Sequence, residues 1–325
     1  MIRWKLFAAI AFCTSLAAGA PPVGAAQKPS QPAKSGWSTT EISSSSDPAY
    51  AAYDAGRYEE ALKLATAAAA AGESQANALI GLIYQKGLGI PQDDAKAVEW
   101  FTKGAVAKDM HAQFLLGVML AEGRGVKKDK KKAADFFEAA AQQGHTLAAY
   151  NLAQTYIEGW GRPQEMEKAA YWLELAANKD HAQAAYDLSS LYRAGEGVPR
   201  DLAKATAWLA KAAAGGHADA QVEFAIMLAN GRGVPRDETA AVSLLRTAAE
   251  RGNAVAQNRL ARAYSAGIGL PADRIQAAKW HLLARAGGES DFKLDLMVIS
   301  LRPHERQQAE TLAKAWRDET AQEKR

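Results

Sequence analysis

Apolar residues recur with a helical period along most of the chain. In residues 184–197, Leu188, Leu191 and Tyr192 occupy positions i, i+3 and i+4, which places them on one stripe of a helix. A second run, at residues 202–214, carries small and large apolar residues on a similar stripe. The pattern predicts two amphipathic helices separated by a short turn.

The turn between these helices contains residues suited to end one helix and begin the next. Gly195 tolerates the left-handed conformation that closes a helix. Pro199 excludes helix through the turn, and Asp201 is placed to accept the free N–H groups of the second helix. Residues 184–214 therefore predict an αα-hairpin.

The same pattern returns every 36 residues, as from Gly87 to Gly123. A fixed period of this length indicates a solenoid, in which each hairpin buries its apolar face only by stacking on its neighbours. We interpret the Gly-x-Gly pairs as structural turns. They are Gly87 and Gly89, Gly123 and Gly125, Gly159 and Gly161, Gly195 and Gly197, Gly231 and Gly233, and Gly267 and Gly269.

Other columns keep the same step and predict which residues pack. Small residues in the columns of Ala184 and Ser189 are expected to let a neighbouring backbone approach closely. A column of large apolar residues in the second helix is expected to lie on the packing stripe. It comprises Trp100, Phe136, Trp172, Trp208, Leu244 and Trp280.

The N-terminal residues predict export. Residues 1–26 combine a basic start, a charge-free apolar run and small residues, as in a secretory signal peptide cleaved after Ala25 or Ala26. Lipidation at Cys13 and an uncleaved anchor are alternatives. Residues 27–46, rich in Ser, Pro, Gln and Lys, predict a disordered tether. We expect a periplasmic or secreted protein without stable membrane insertion after cleavage.

Composition excludes several classes of function. The one cysteine lies in the predicted signal peptide, so the exported chain has no disulfide, thiolate nucleophile or cysteine metal site. The net charge of +3 falls to +1 when Arg3 and Lys5 are removed, which is unlike a nucleic-acid-binding protein. The run KKDKKK at 127–132 is either a solvated turn or a patch for an anionic partner.

The repeat unit resembles a known family. The pattern A-x-x-x-L-(G/A)-x-x-Y-x-x-G-x-G-V-x-x-D-x-x-x-A-x-x-W-x-x-x-A-A-x-x-G is similar to the Sel-one-like repeat, strongly over 76–288 and more loosely over 47–72 and 289–320. The resemblance implies an all-α, right-handed α/α superhelical solenoid that serves protein–protein contacts, often in exported bacterial proteins. We expect about seven helical hairpins plus C-terminal capping helices. The expected parts are a tetratricopeptide-like capping hairpin (47–72), six 36-residue repeats (73–288), and capping helices with a tail (289–325).

Sites for small ligands are not predicted. Each Gly-x-Gly follows a helix, and the acidic residue that caps the next helix would repel a phosphate. His145, His181 and His217 also lie 36 residues apart, but hairpins stack about 10 Å apart, whereas metal bonds are about 2 Å long. We therefore expect each histidine to satisfy a helix end. Without a catalytic arrangement of residues, we predict no enzyme activity, no metal and no cofactor.

Two positions of each first helix vary in chemistry from repeat to repeat. They lie one turn apart on one helical face, and the resemblance places that face on the concave groove. We predict that a protein partner binds there, with apolar anchors toward the N-terminus and charges toward the C-terminus. Alternatively, the stripe packs inside the superhelix, or the tether covers it. The predicted groove residues are Leu79, Leu82, Leu115, Val118, Asn151, Gln154, Asp187, Ser190, Glu223, Arg259 and Arg262.

The predicted function is an exported scaffold or adaptor that binds a partner segment in this groove, regulating an envelope sensor or an assembly. The alternative is a cell-wall or glycan-binding protein, or a hydrolase of the envelope. Aromatic residues in the variable positions would favour glycan binding, and these positions contain none.

Overall fold

The computed structural model describes residues 47–323, which form helices joined by short turns, with no strand in this range. The helices are α1 Pro48–Asp54, α2 Tyr58–Ala70, α3 Gln75–Lys86, α4 Asp94–Val106, α5 Met110–Glu122, α6 Lys130–Gln142, α7 Thr146–Glu158, α8 Met166–Asn178, α9 Ala182–Ala194, α10 Leu202–Ala214, α11 Ala218–Asn230, α12 Glu238–Glu250, α13 Ala254–Ala266, α14 Arg274–Ala286, α15 Phe292–Ile299 and α16 Pro303–Glu323.

The predicted all-α solenoid is confirmed. Consecutive helices pair as seven hairpins, from α1/α2 to α13/α14, and each hairpin packs on the next. Helices α15 and α16 follow the last hairpin, and both contact α14. The predicted signal peptide (1–26) and tether (27–46) lie outside the described residues.

The first glycine of each turn ends the first helix, as predicted. Gly195, with φ 76° and ψ 35°, follows α9 in the left-handed conformation, where a Cβ would be strained. Asp201 then caps α10, accepting a hydrogen bond from the backbone N–H of Lys204 at 2.9 Å. Glu165, in the same column as Asp201, makes no such cap and instead pairs with Lys168. The other left-handed helix ends are Gly87, Gly123, Gly159, Gly231 and Gly267.

The second glycine of the turn has a different role, because it packs on the preceding hairpin. A Cβ on Gly125 would lie 2.2 Å from the carbonyl oxygen of Asp94, the first residue of α4. Gly161, Gly197 and Gly269 make equally close contacts with the preceding second helix. Gly233 does not, since the nearest atom to its Cβ would be a methionine side-chain carbon at 3.5 Å.

In the second helices, the most deeply buried column lies one residue after the column of large apolar residues that was predicted to pack. Phe101 and Leu173 are fully buried, whereas Trp100 and Trp208 are only half-buried. Trp172 and Trp280 are buried, and the half-buried Trp100 and Trp208 still pack against the core, so these tryptophans lie in the packing stripe as expected. In the column of small residues that contains Ser189, Gly81 packs against an aromatic ring rather than a backbone. A Cβ on Gly81 would lie 2.3 Å from Cε1 of Phe101.

Candidate partner-binding groove

We call the eleven predicted groove residues the first-helix stripe, and several of them lie next to one another across consecutive hairpins. The second variable position of one repeat meets the first variable position of the next. Gln154 Nε2 donates a hydrogen bond to Asp187 Oδ2 at 3.0 Å across this contact. The 36-residue period thus places Gln154 beside Asp187, and it brings Val118 and Asn151 to one cavity.

The N-terminal part of the stripe is buried, so the prediction of exposed apolar anchors there is wrong. Leu79 is 0% exposed, Leu82 7% and Leu115 2%. Leu79 belongs to a cluster that includes Tyr50 and Ala61 of the first hairpin, which packs on α3 and covers this end of the stripe. For these three leucines, the alternative interpretation of internal packing is the correct one.

The next part of the stripe lines a cavity of about 80 Å³ between α5 and α7, which we call the Val118 cavity. Three predicted residues meet there, and Phe137 of α6 completes the apolar wall. The lining consists of Val118, Ala121, Glu122, Lys128, Phe137, Asn151, Gln154, Thr155, Glu158 and Trp160.

Trp160 is the residue of the Val118 cavity that sequence reasoning missed. It stands between Gly159 and Gly161, and it is the one aromatic residue at that position among the six turns. This difference between the turns was the sequence signal that could have identified Trp160. Lys130 places its ammonium 5.4 Å from the centre of a Trp160 ring, a cation–π contact.

The central part of the stripe forms a polar network. Asp187 accepts hydrogen bonds from Gln154 and also from Gln183, the latter at 2.8 Å. Burial raises the pKa of Asp187 above its usual range. Ser190 donates to the backbone carbonyl of Tyr186 at 3.3 Å. These side chains are therefore occupied by internal partners.

Glu223 is likewise held by its neighbours. Its Oε1 accepts a hydrogen bond from Tyr186 Oη at 2.7 Å, and its Oε2 pairs with Arg193 at 3.0 Å. Burial, followed by the hydrogen bond to this carboxylate, raises the pKa of Tyr186 above its usual value. The Tyr–Glu bond joins α9 to α11 and continues the network along the stripe.

The C-terminal part of the stripe carries two arginines with different surroundings. Arg262 pairs with Asp291, the cap of α15. Arg259 makes no hydrogen bond or ion pair within residues 47–323, and its Nε is buried without a partner. Both line a cavity of about 190 Å³ between α11, α12 and α13. Burial, and then the charge of Arg262, lowers the pKa of Arg259.

The three histidines of the predicted ladder cap helices, which confirms that expectation. His145 Nδ1 accepts the backbone N–H of Ala148 at 3.2 Å, and His181 and His217 each accept an equivalent bond at 3.1 Å. Asp109 and Asn253 cap the corresponding helices of their repeats.

Each capping histidine also stacks on an aromatic ring of the preceding repeat. The ring centroids of His145 and Phe114 are 4.5 Å apart. His181 stacks on Tyr150 at 4.6 Å, and His217 stacks on Tyr186 at 4.3 Å. This pairing, which sequence reasoning missed, joins neighbouring hairpins, and it covers His145 almost fully and His181 and His217 partly.

The Sel1 repeat family model matches residues 74–105, 111–145, 146–181, 182–217, 218–253 and 254–289. These segments coincide with the hairpins from α3 to α14. The chain belongs to the Sel1 repeat family. Sel1 repeat proteins generally act as scaffolds for protein–protein interactions.

Many solved structures resemble this Sel1 repeat protein, among them the following two. One is c5321, a protective antigen of uropathogenic Escherichia coli with this repeat fold, at 30% identity and a TM-score of 0.70. The match covers 86% of this chain but only 64% of c5321, so the chain spans less than two thirds of that protein. The other is a Sel1 repeat protein from Oxalobacter formigenes, at 31% identity and a TM-score of 0.65, covering 74% and 98% of the two chains. No curated protein matches the chain.

Within the described part of this Sel1 repeat protein, no group of three or more His, Cys, Asp or Glu side chains is arranged to hold a metal ion. None of the helices between residues 47 and 323 is both long and apolar enough to cross a bilayer. Two cavities lie along the first-helix stripe in the described part of the chain.

Proposed function

We propose that this protein is an exported scaffold that binds an extended segment of a protein partner along the first-helix stripe from Val118 to Arg262, which we take as its concave groove. The observation that carries the proposal is the Val118 cavity, where three variable stripe residues and Trp160 surround an open apolar space. Export rests on the signal-like residues 1–26. Regulation of an envelope sensor or an assembly is the role we propose.

The chemistry of the Val118 cavity suits one apolar side chain of such a segment. Val118, Phe137 and Trp160 supply the apolar wall. Asn151 lines the cavity and makes no side-chain hydrogen bond within residues 47–323, so its amide is able to donate to and accept from a peptide backbone. The carboxylate of Glu158 at the rim favours a basic neighbour in the segment.

Trp160 also favours a second candidate, the binding of cell-wall glycan, because an aromatic ring beside carboxylates is suited to a sugar. One observation opposes it, since Lys130 already occupies a face of Trp160. A saturable change in tryptophan fluorescence on titration with soluble wall fragments would support the glycan candidate.

Site-specific photo-cross-linking tests the proposal. A benzophenone amino acid at Val118, in the full chain in its native envelope, should yield a defined protein adduct. The same probe at Tyr171, which is 56% exposed on the second helix α8, is the matched control and should not yield it. Mass spectrometry of the adduct would identify the partner.

A pair of tryptophan variants tests whether the cavity itself makes the contact. Trp160→Ala should abolish the Val118 adduct, whereas Trp208→Ala should not. Trp208 is also half-buried and also lies beneath a lysine, Lys211, at 5.6 Å, but it belongs to the second helix α10. Adducts of equal yield from Val118 and Tyr171, or loss of the adduct in both tryptophan variants, would contradict a partner site in the Val118 cavity.

A further inference from the structure

The cavity of about 190 Å³ near the C-terminal end of the stripe has one charged side and several apolar sides. We call it the Arg259 cavity. Helix α11 supplies Ile226, and α12 supplies Val242 and Leu245, both of which are nearly fully buried. Arg259 and Arg262 project from α13. The full lining is Ala225, Ile226, Ala229, Asn230, Glu238, Ala241, Val242, Leu245, Arg259, Arg262, Ala263 and Ile268.

The positive charge of Arg259 in this cavity is not paired with a carboxylate of the described residues. Arg262 is held by Asp291, and the one carboxylate in the lining, Glu238, pairs with Arg236. Glu289 acts on Arg259 through its charge but makes no hydrogen bond to it. A guanidinium donor buried without an acceptor is unfavourable, and a bound carboxylate would supply the missing acceptor.

We infer that the Arg259 cavity binds a side-chain carboxylate, from Asp or Glu, together with an adjacent aliphatic side chain of a partner segment. This inference rests on the proposed function, since it supplies the chemistry of the same partner. The guanidinium of Arg259 binds the carboxylate. The aliphatic group packs against the apolar wall formed by Ile226, Val242 and Leu245.

Size and position favour a protein segment over a lipid or a free anion. A cavity of about 190 Å³ suits side chains rather than a long acyl tail. Arg259 holds the same variable position as Asn151 of the Val118 cavity, so the two cavities lie on one stripe. Glu158 at one cavity and Arg259 at the other would set the direction of a bound segment.

Blocked peptides test the inference with the full chain. The probe is acetyl-Gly-Ser-Glu-Leu-Ser-Gly-amide, whose only carboxylate is a side chain, titrated into the protein and followed by NMR. Saturable shifts should appear at the Arg259 Nε–H. Replacing Glu by Gln, or Leu by Gly, in the peptide should weaken binding about tenfold or more, since a charge-assisted hydrogen bond or a buried aliphatic side chain is then lost.

Protein variants locate the site. Arg259→Gln should weaken binding about tenfold or more, whereas Arg232→Gln should not. Arg232 is exposed and lies outside the cavity, so it controls for the loss of one positive charge. Ile226→Trp keeps the arginine but fills the cavity, and it should also prevent binding. Circular dichroism checks that each variant remains helical.

Several results would overturn the inference. These are equal binding of the Glu and Gln peptides, unchanged binding by Arg259→Gln, or equal losses in Arg259→Gln and Arg232→Gln. Tighter binding of acetyl-Ser-Gly-Ser-Leu with a free C-terminus would assign the cavity to a chain terminus instead of an acidic side chain. If the Val118 adduct forms while the Glu–Leu peptide fails to bind, the inference fails and the proposed function stands.

Discussion

A fall in pH from 7.5 to 5.5 should destabilise the solenoid, because three histidines cap helices only while they are neutral. The Nδ1 atom of His145 accepts the backbone N–H of Ala148, and a proton on that nitrogen would remove the acceptor. Burial, with help from the charges of His111 and Lys179, lowers the pKa of His145 to about 3. Burial also lowers the pKa values of His181 and His217.

The magnitude for His145 follows from proton linkage. An unfolded histidine has a pKa of about 6.5, so between about pH 3 and 6.5 the unfolded chain binds a proton that the folded chain does not. The contribution of His145 is therefore fully present above about pH 6.5 and is lost as the pH falls below it. Between pH 7.5 and 5.5 the loss is about 1.4 kcal/mol. His181 and His217 change stability in the same direction.

The variant His145→Asn isolates this contribution, because the chain already uses Asn253 for the same cap. Asn253 accepts the equivalent N–H of Ala256 at 2.8 Å and does not titrate in this range. The variant loses the stacking on Phe114, which lowers stability by about 0.5–1.5 kcal/mol at both pH values. Its unfolding free energy should therefore fall less between pH 7.5 and 5.5 than that of the wild type.

Urea unfolding followed by circular dichroism at the two pH values provides the measurement. The difference between wild type and His145→Asn in their pH-dependent change should be about 1.4 kcal/mol. Using the difference cancels the titration of carboxyl groups such as Asp187, whose pKa is raised and whose effect has the opposite sign. An identical pH dependence in the two proteins would refute the assignment of His145 as a neutral cap.

Two further predictions concern contacts between hairpins. Gly125→Ala should lower the free energy of unfolding by about 2–5 kcal/mol, since a left-handed alanine costs about 1–2 and the clash with the Asp94 carbonyl about 1–3 kcal/mol. Gly233→Ala, where φ is positive but a Cβ would make only ordinary van der Waals contacts, should lose only about 1–2 kcal/mol, from the left-handed conformation. Equal losses for the two variants in thermal or urea unfolding would disprove the packing role. Asp187→Leu should cost about 1–3 kcal/mol by leaving Gln154 without its acceptor. Adding Gln154→Leu should restore most of that loss, as a double-mutant cycle would measure, because it recreates the apolar pair of the first two repeats.

The amino-acid sequence by itself determined the repeat, the hairpins and their ends. The left-handed conformation at Gly195, the cap at Asp201 and the cap at His145 depend on residues within a few positions along the chain. Such local requirements return with every 36-residue unit, so comparison of the units reveals them. The membership of the Val118 cavity was also partly predictable, because Asn151 and Gln154 belong to columns that vary while the fold does not.

The tertiary structure alone decided which of those variable residues are accessible. Leu79 and Leu115 differ little in sequence context from Val118, but the first hairpin covers Leu79 and the stacked core surrounds Leu115. Trp160 reaches the stripe because its turn folds back beside α5. Arg259 lacks a partner, whereas Arg262, one turn further along the same helix, pairs with Asp291. Burial and charge pairing depend on residues that are distant in the chain. A repeat pattern shows only the residues that each unit needs for its own helices, turns and caps.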